Sequence, residues 1–236
     1  MKSENSSTDL RNFETLQITA VLRTAVISDQ WLPLDGILLF QKTREDLGAQ
    51  AMTTPGFSNL AQPKGEAMKG GKLPIKTVHS KEWYYRCSWA QWSENIEAKD
   101  YWNKRYDNDL SDFVTFKGRG TVNNLAGQFK AYHQPVFYRS ALWVRWYCMG
   151  DKAEIARLLS TCTNIGKKPA QGWGRVMRWE VESISDDWSI WKDEKLMRGI
   201  PAFEKPADHV GNLALYGVRP SYWDRRNQIM VVLPCQ

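Results

Sequence analysis

A glycine-rich basic loop at residues 164–176 constrains this chain more than any other stretch. It reads Asn-Ile-Gly-Lys-Lys-Pro-Ala-Gln-Gly-Trp-Gly-Arg-Val, with three glycines, three cations and one indole in thirteen residues. A plain connector needs only turn residues such as Gly or Pro. Here the glycines allow a close backbone approach, Lys167, Lys168 and Arg175 supply charge, and Trp173 supplies a flat ring. Together they suit a phosphate backbone that carries stackable bases.

Local patterns predict the elements on either side of this loop. Asp151 and Glu154 form a D-x-x-E capping box, which predicts a helix over 152–163. Its apolar stripe lies at helical spacing and consists of Ile155, Leu158, Leu159 and Cys162. After the loop, residues 176–184 alternate and predict a strand, with one face formed by Met177, Trp179 and Val181.

The first part of the chain repeats the order of strand and helix. Alternation predicts a strand from Leu16 to about Val26, with an inward face formed by Leu16, Ile18, Ala20 and Leu22. A helix follows over 34–44, although Gly36 lowers its propensity by about 1 kcal/mol. A further strand over 141–149 ends at Gly150, and one of its faces is formed by Leu142, Val144, Trp146 and Cys148.

Two β-α halves of this kind predict an α+β fold of the ferredoxin-like, or RRM-like, type. In this β-α-β-β-α-β arrangement an antiparallel sheet carries two helices on one face and leaves the other free to bind. The predicted domain covers 13–184, and residues 185–236 form a C-terminal extension packed on the same domain. A flexible, Ser/Asn/Asp-rich N-terminus covers 1–12.

Three segments inside the predicted domain depart from the simple β-α pattern. Residues 45–75 hold many Gly and Pro residues with little periodicity and predict an irregular insertion. Residues 82–92 read as one strand with aromatic side chains on both faces. Residues 103–139 are polar and basic, and predict a projecting, thumb-like hairpin; a solvated hairpin with ordinary surface charges is the alternative.

Composition favours a polyanionic partner without demanding one. The 236-residue chain has a net charge of +6 and twelve Trp residues, which are useful for stacking and for anchoring interfaces. Its four cysteines (Cys87, Cys148, Cys162 and Cys235) form no CxxC pair, so the sequence indicates neither a zinc site nor a disulfide framework. We therefore expect a reduced, cytoplasmic protein without metal or cofactor. With no apolar run of about 20 residues and a polar N-terminus, we expect a soluble chain that is not exported.

The loop does not match the common nucleotide-binding loops. A Walker A loop needs G-K-[ST] at a fixed spacing and opens a helix, whereas this loop precedes a predicted strand. A dinucleotide fingerprint needs G-x-G-x-x-G between strand and helix. A loop that clamps a nucleic-acid backbone at one edge of the sheet is what remains.

Three segments resemble a known family. Residues 165–176 resemble the signature glycine-rich loop of the CRISPR-associated RAMP superfamily, which lies between the last helix and the last strand of a ferredoxin-like domain. Residues 32–38 (Leu-Pro-Leu-Asp-Gly-Ile-Leu) are similar to the segment with which the Cas-five-like subunit of type IV, Csf-type effectors enters its first helix. The sequence Arg-Pro-Ser-Tyr-Trp at 219–223 resembles that family's tail.

The resemblance implies a non-catalytic subunit that binds the 5′ handle of the guide RNA (crRNA) and caps a filament of backbone subunits. Such a subunit serves RNA-guided recognition of foreign DNA in antiviral and anti-plasmid defence. Its implied partners are guide RNA, backbone subunits, a large or small effector subunit and, indirectly, target DNA and a helicase. The predicted RNA-binding residues are Gly166, Lys167, Lys168, Gln171, Gly172, Trp173, Gly174, Arg175, Lys117, Arg119, Lys130, Tyr132, His133 and Arg23.

Two other functions stay open at this stage. A guide-RNA-processing endoribonuclease of the same superfamily would need a general acid and base. Of His79, His133 and His209, only His133 has a tyrosine and a lysine nearby in sequence, Tyr132 and Lys130; a surface or stacking histidine is the alternative. A stand-alone RNA-binding module is disfavoured, because the K/R-G-F/Y-G/A-F-V signature is absent.

Overall fold

The computed structural model describes residues 12–47, 73–107, 123, 125–126 and 129–235. Almost all of the predicted N-terminal segment 1–12 and most of the predicted insertion 45–75 therefore lie outside the described residues. The described helices are α1 (Leu34–Leu47) and α2 (Lys152–Ser160). In chain order the strands are β1 (Glu14–Leu22), β2 (Thr77–His79), β3 (Trp83–Tyr85), β4 (Gln91–Trp92), β5 (Asn95–Lys104), β6 (Tyr132–Ala141), β7 (Trp143–Gly150), β8 (Val176–Ser183), β9 (Trp191–Lys192), β10 (Lys195–Leu196), β11 (Ile200–Pro201), β12 (Leu213–Gly217) and β13 (Gln228–Val232).

A four-stranded sheet lies at the centre of the molecule. Its order is β4-β7-β1-β8, and each neighbouring pair is antiparallel. Ile18 of β1 lies opposite Trp146 of β7 on one side and Val181 of β8 on the other. The fold is α+β with mostly antiparallel sheets, as predicted at that level.

One face of this sheet forms the main core, because alternation in β1 and β7 places every second side chain on it. Leu16, Ile18 and Ala20 of β1 are fully buried there, as predicted. The two helices cover the same face with side chains at helical spacing: Leu34, Leu38, Ile155, Leu158 and Leu159. The predicted stripe of α2 is therefore confirmed, and the first helix begins at Leu34 as expected.

Asp151 is the N-cap of α2, as predicted, but its own N–H donates to the carbonyl of Pro74 at 3.0 Å, so only half of the predicted capping box is seen. The Asp151 carboxylate accepts a hydrogen bond from the backbone N–H of Glu154 at 3.0 Å, which satisfies one of the donors that a helix N-terminus leaves unpaired. The helix ends at Ser160, earlier than the predicted 163. At this end the Thr161 hydroxyl donates to the carbonyl of Leu158 at 3.1 Å, and Cys162 stays buried beyond it.

Two details of the predicted strands are wrong, and one face of the predicted strand 176–184 is covered only in part. Residues 82–92 are two short strands, β3 and β4, separated by isolated bridges at Cys87 and Trp89. Leu142 is 75% exposed, because it lies at the corner between β6 and β7, where its N–H donates to the Ser93 hydroxyl at 3.0 Å. Met177 is 60% exposed, since β8 is an edge strand of the sheet.

Strands β5 and β6 form a separate two-stranded ribbon. Ten residue pairs join them, from Asn95 opposite Ala141 to Lys104 opposite Tyr132. The ribbon therefore begins before and ends after the predicted hairpin 103–139. Residues 108–122, inside the predicted hairpin, lie outside the described residues.

The C-terminal residues pack on the domain through a buried polar group that we call the Asp35 cluster: Asp35, Arg198 and Tyr222. The Tyr222 hydroxyl donates to the Asp35 carboxylate at 2.7 Å. Arg198 is fully buried and donates to the carbonyls of Cys87 at 3.0 Å and Val218 at 2.7 Å. Burial raises the pKa of the Asp35 carboxyl, while the charge of Arg198 acts against this. The two terminal segments that carried the resemblance are thus in direct contact.

Candidate nucleic-acid interface

Contacts within the chain require two of the three glycines of the loop. Gly166 and Gly174 have φ angles of 79° and 65°, in the left-handed region that favours glycine. A Cβ on Gly174 would lie 1.8 Å from the carbonyl oxygen of Ile165, and one on Gly166 would lie 2.4 Å from that of Ile27. Gly172 has a φ of 86° but nothing within 4 Å of a built Cβ. The glycines were predicted to allow a close approach of the backbone to a ligand. At Gly166 and Gly174 the close approach is instead to the protein's own backbone.

Residues 23–27, which follow β1, connect the loop to the ribbon. On one side, Gly174 N–H donates to the carbonyl of Ala25 at 2.7 Å and Lys167 N–H to that of Ile27 at 2.6 Å. On the other side, Val26 and Arg139 of β6 exchange two backbone hydrogen bonds of 2.8 and 2.9 Å. A fixed backbone frame thus holds the loop beside the base of the ribbon.

The loop and the ribbon meet at a surface that we call the loop–ribbon junction, formed by Trp102, Tyr132, Tyr138, Lys168 and Trp173. The Lys168 ammonium lies 4.5 Å from the centre of the Trp102 ring, and the rings of Trp173 and Tyr138 are 5.1 Å apart. The Trp102 indole N–H donates to the Tyr132 hydroxyl at 2.7 Å. All five side chains are half-buried, so each keeps a part that faces solvent.

Alternation along the ribbon explains why these residues meet. Trp102 and Gln134 are directly opposite each other, as are Ala98 and Tyr138. Because successive side chains on a strand point to opposite faces, Trp102, Tyr132 and Tyr138 share one face of the ribbon. This face is turned toward the loop.

The backbone of Lys168 adopts a conformation that is costly for a residue with a Cβ. Its φ and ψ are 58° and 47°, and it precedes a 3₁₀ turn at Pro169–Gln171. The left-handed region costs about 1–2 kcal/mol for such a residue. Strained backbone of this kind concentrates at functional sites, and here it accompanies the placement of the ammonium over Trp102.

The other predicted loop residues lie along the solvent side of the same frame. Lys167 is 58% exposed and pairs with Asp29 at 2.6 Å. Arg175 and Arg23 are exposed neighbours, since Arg23 N–H donates to the carbonyl of Arg175 at 2.8 Å. Gln171 is also exposed. Lys167, Arg175 and Arg23 therefore border the junction with positive charge.

Predicted ribbon residues do not all reach the junction. His133 lies opposite Asn103, on the other face of the ribbon, where its ring stacks on Tyr101 at 4.3 Å and hydrogen-bonds Asn103. Lys130 is exposed, just before β6 begins. Lys117 and Arg119 lie outside the described residues.

A groove that the sequence did not indicate lies beside Tyr138, mainly on the ribbon face opposite the junction. Its volume is about 530 Å³, and its lining includes Ser28, Lys99, Phe137, Tyr138 and Arg139. Phe137 is 67% exposed, and Tyr138 belongs both to the groove and to the junction. The period-two pattern of 132–141 is the signal that could have located these residues.

The described residues also bear on metal binding, thiol chemistry and membrane spanning. No group of three or more His, Cys, Asp or Glu in them is placed to hold a metal ion. Burial raises the pKa of Cys162 to about 11 and raises those of Cys87 and Cys148 as well, which disfavours their thiolates. The helices in the described part of the chain are not long and apolar enough to cross a bilayer.

Comparison with protein families assigns almost the whole chain to one of them. The model of the family described as CRISPR type IV associated protein Csf3 matches residues 14–234. This range includes both helices, the central sheet, the ribbon, the loop and the C-terminal extension. A search of curated proteins finds no match.

Proposed function

The chain belongs to the family of CRISPR type IV associated protein Csf3, and on this premise we propose that it is a non-catalytic RNA-binding subunit of a type IV CRISPR ribonucleoprotein. The type IV assignment predicted from residues 32–38 and 219–223 is confirmed by this family match. Membership implies a complex with other CRISPR components. Within that complex, in the cytoplasm, the chain binds the 5′ handle of the guide RNA and caps the filament of backbone subunits.

The proposed fold is a ferredoxin-like RAMP domain. The order β4-β7-β1-β8 supports it, because a β-α-β-β-α-β chain has its second, third, first and fourth strands in that order. Helices α1 and α2 follow the first and third of these strands and share the core with them. The ribbon corresponds to the thumb of this domain and reaches toward a neighbouring backbone subunit.

The observation that carries the proposal is the loop–ribbon junction. Lys168 and Trp173 come from the loop, and Trp102 and Tyr138 come from the ribbon, yet they form one surface of cation and aromatic rings. Single-stranded nucleic acid is bound by this combination, because bases stack on rings while cations neutralise phosphates. The groove shares Tyr138 with this surface, whereas Phe137 and Arg139 belong to the opposite face of the ribbon.

RNA-binding variants test the assignment. Replacing Lys167, Lys168 and Arg175 together by Gln should weaken binding of a guide RNA and lower the salt slope of log Kd by about 2, since each phosphate contact on a single strand contributes about 0.7. The measurement is fluorescence anisotropy at several salt concentrations. A parallel titration uses the same RNA with a scrambled 5′ handle, which should bind wild type more weakly.

A matched control removes the same charge elsewhere. Lys76, Lys81 and Arg225 are exposed and lie outside the loop and the ribbon. Their replacement by Gln changes the net charge equally and should leave affinity and salt slope near wild type. Equal affinities and slopes for the two triple variants would contradict the assignment of the loop.

The absence of catalysis is part of the proposal and needs its own test. The stacking of His133 on Tyr101 supports a binding role for this histidine, on the ribbon face opposite Trp102. Purified protein incubated with precursor repeat RNA should leave it intact. Cleavage that disappears in His133→Ala would establish the endoribonuclease instead.

A further inference from the structure

A second basic and aromatic surface lies on the sheet face that the helices do not cover. Along β7, Val144 and Trp146 point into the core, so Trp143, Arg145 and Tyr147 point to the opposite face. Gln91 of β4 lies directly opposite Arg145 and shares this face. These side chains form the floor of a groove of about 330 Å³.

The β9–β10 hairpin of the C-terminal extension forms the wall of this groove. Lys192 and Lys195 are directly opposite each other in the hairpin. The turn residues Asp193 and Glu194 have φ angles of 46° and 64°, which is costly for residues other than glycine. Positive φ at both turn residues is the type I′ geometry that a two-residue hairpin favours. Like charges directly opposite each other destabilise a hairpin, so the lysine pair is not explained by the stability of the hairpin.

The groove carries an excess of positive charge. Its lining contains Arg145, Lys192 and Lys195 but a single carboxylate, that of Asp193. Among the described residues, none of these three cations lies within ion-pair distance of a carboxylate. Their charge is therefore available to an anion that enters the groove.

Aromatic rings alternate with these cations. The Arg145 guanidinium lies 4.3 Å from the centre of the Trp143 ring, and the Lys192 ammonium lies 3.8 Å from that of Trp188. Trp188 in turn packs edge-on against Tyr147 at 5.1 Å. Trp143 is half-buried, so part of its ring remains accessible from the groove.

We propose that this groove is a second nucleic-acid site, which takes a short stretch of single-stranded backbone with phosphates at Arg145, Lys192 and Lys195 and a base against Trp143. Interleaved cations and rings favour nucleic acid over an acidic protein segment, because an acidic peptide has no bases to stack on an indole. The groove is lined by residues of β4, β7 and the β9–β10 region, and shares none with the loop–ribbon junction. The two sites can therefore be tested separately.

The test uses the purified full chain and a fluorescein-labelled oligothymidylate of about 16 nucleotides, near the upper end of single-strand site sizes. Protein already loaded with guide RNA should still bind this probe, since its groove remains open. Replacing Arg145, Lys192 and Lys195 by Gln should weaken probe binding about tenfold and reduce its salt slope by about 2. Absence of probe binding to the loaded wild type would overturn the proposal.

Controls separate this result from the proposed guide-RNA site. The groove variant should keep its affinity for guide RNA, and the loop variant at Lys167, Lys168 and Arg175 should keep the part of probe binding that depends on the groove. If the chain does not bind guide RNA at all, the comparison of wild type with the groove variant is made on free protein. Equal probe affinities there would overturn the groove alone.

Two further measurements address folding and ligand class. If the triple groove variant unfolds, Lys195→Glu changes one exposed side chain and should still weaken probe binding, whereas unchanged binding would count against the site. Polyglutamate at matched charge should compete poorly. Competition as strong as that of unlabelled oligothymidylate would identify a site for acidic protein and overturn the assignment to nucleic acid.

Discussion

The Asp35 cluster and the loop–ribbon junction both place a cation against aromatic rings, but they differ in exposure. Arg198 is 0% exposed and lies 4.9 Å from the centre of the Tyr84 ring. Lys168 is half-buried and lies 4.5 Å from the centre of the Trp102 ring. The same pair of residue types therefore occurs once inside the molecule and once at its surface.

What separates the two regions is the use of their hydrogen-bond donors. Arg198 donates to the carbonyls of Cys87 and Val218, among others, so its guanidinium joins the C-terminal extension to the core. Within the described residues, the Lys168 ammonium contacts a ring face and makes no hydrogen bond or ion pair. A cation with satisfied donors holds a fold together, whereas one with donors to spare can bind a ligand.

Arg198→Met should have the largest effect of the changes that test this difference. Removing the buried cation leaves several carbonyls without their donor and takes away the charge that favours the Asp35 carboxylate. The loss should be about 3–5 kcal/mol, as for breaking a buried pair. Urea denaturation measures the loss. Arg225→Met, at an exposed site, is the control and should change stability little. A loss below about 1 kcal/mol for Arg198→Met would show that the buried cation is dispensable.

Trp173→Ala should affect RNA binding more than folding. Loss of a base stacked on this indole costs about 1–3 kcal/mol of binding free energy, measured by anisotropy with guide RNA. Trp173→Phe keeps a ring beside Tyr138 and should retain most of the affinity. A variant that melts earlier but binds RNA normally per folded molecule would make Trp173 a packing residue like Trp146.

Asp35→Asn should change how stability depends on pH. Because burial raises the pKa of Asp35 above its usual 3.8, its contribution to stability is fully present below that value and is lost as pH rises through the folded-state pKa. Wild type should therefore lose stability relative to Asp35→Asn as pH rises above about 4. The exposed carboxylate of Asp208, changed to Asn, is the control; parallel pH curves for wild type and Asp35→Asn would contradict the prediction.

The Lys167–Asp29 pair should have the smallest effect on stability. Its side chains are 58% and 72% exposed, and exposed ion pairs contribute about 1 kcal/mol or less. Asp29→Asn should leave urea stability nearly unchanged but strengthen RNA binding slightly, because it releases the Lys167 ammonium. Weaker RNA binding in Asp29→Asn would mean that the carboxylate orients Lys167 for the RNA.

Local patterns predicted those parts of the fold that depend on neighbours in sequence. The inward face of β1, the stripe of α2 and the Asp151 cap all follow from spacings of two, three or four residues. Predictions failed where another element interrupts a pattern. Leu142 continues an alternation but lies at a corner, and 82–92 reads as one strand although bridges at Cys87 and Trp89 divide it.

The candidate site was predicted only in part, because local patterns locate the loop but not the elements that pack against it. The loop was located from its composition, and Lys168, Trp173 and Tyr132 do lie together in the junction. Trp102 and Tyr138 were missed. The ribbon was predicted to begin only at 103, and the loop is held beside the ribbon by backbone hydrogen bonds of residues 23–27, which no local pattern indicates. Packing decides which face of the ribbon is turned toward the loop. Because His133 lies on the other face, it does not reach the junction.

Local sequence patterns suffice for the start and apolar stripe of α2, for the strand periods and for a loop whose residues suit nucleic acid, since each of these depends on interactions within a few residues. Which cations remain available to a ligand follows from the packing of the whole chain, because it depends on partners that are distant in sequence. Tyr222 reaches Asp35 across 187 positions, and Arg198 reaches the carbonyl of Cys87 across 111. No local pattern distinguishes Arg198 from Lys168. Arg198 is buried and stabilises the fold, whereas Lys168 lies at the surface, where it can contact a ligand.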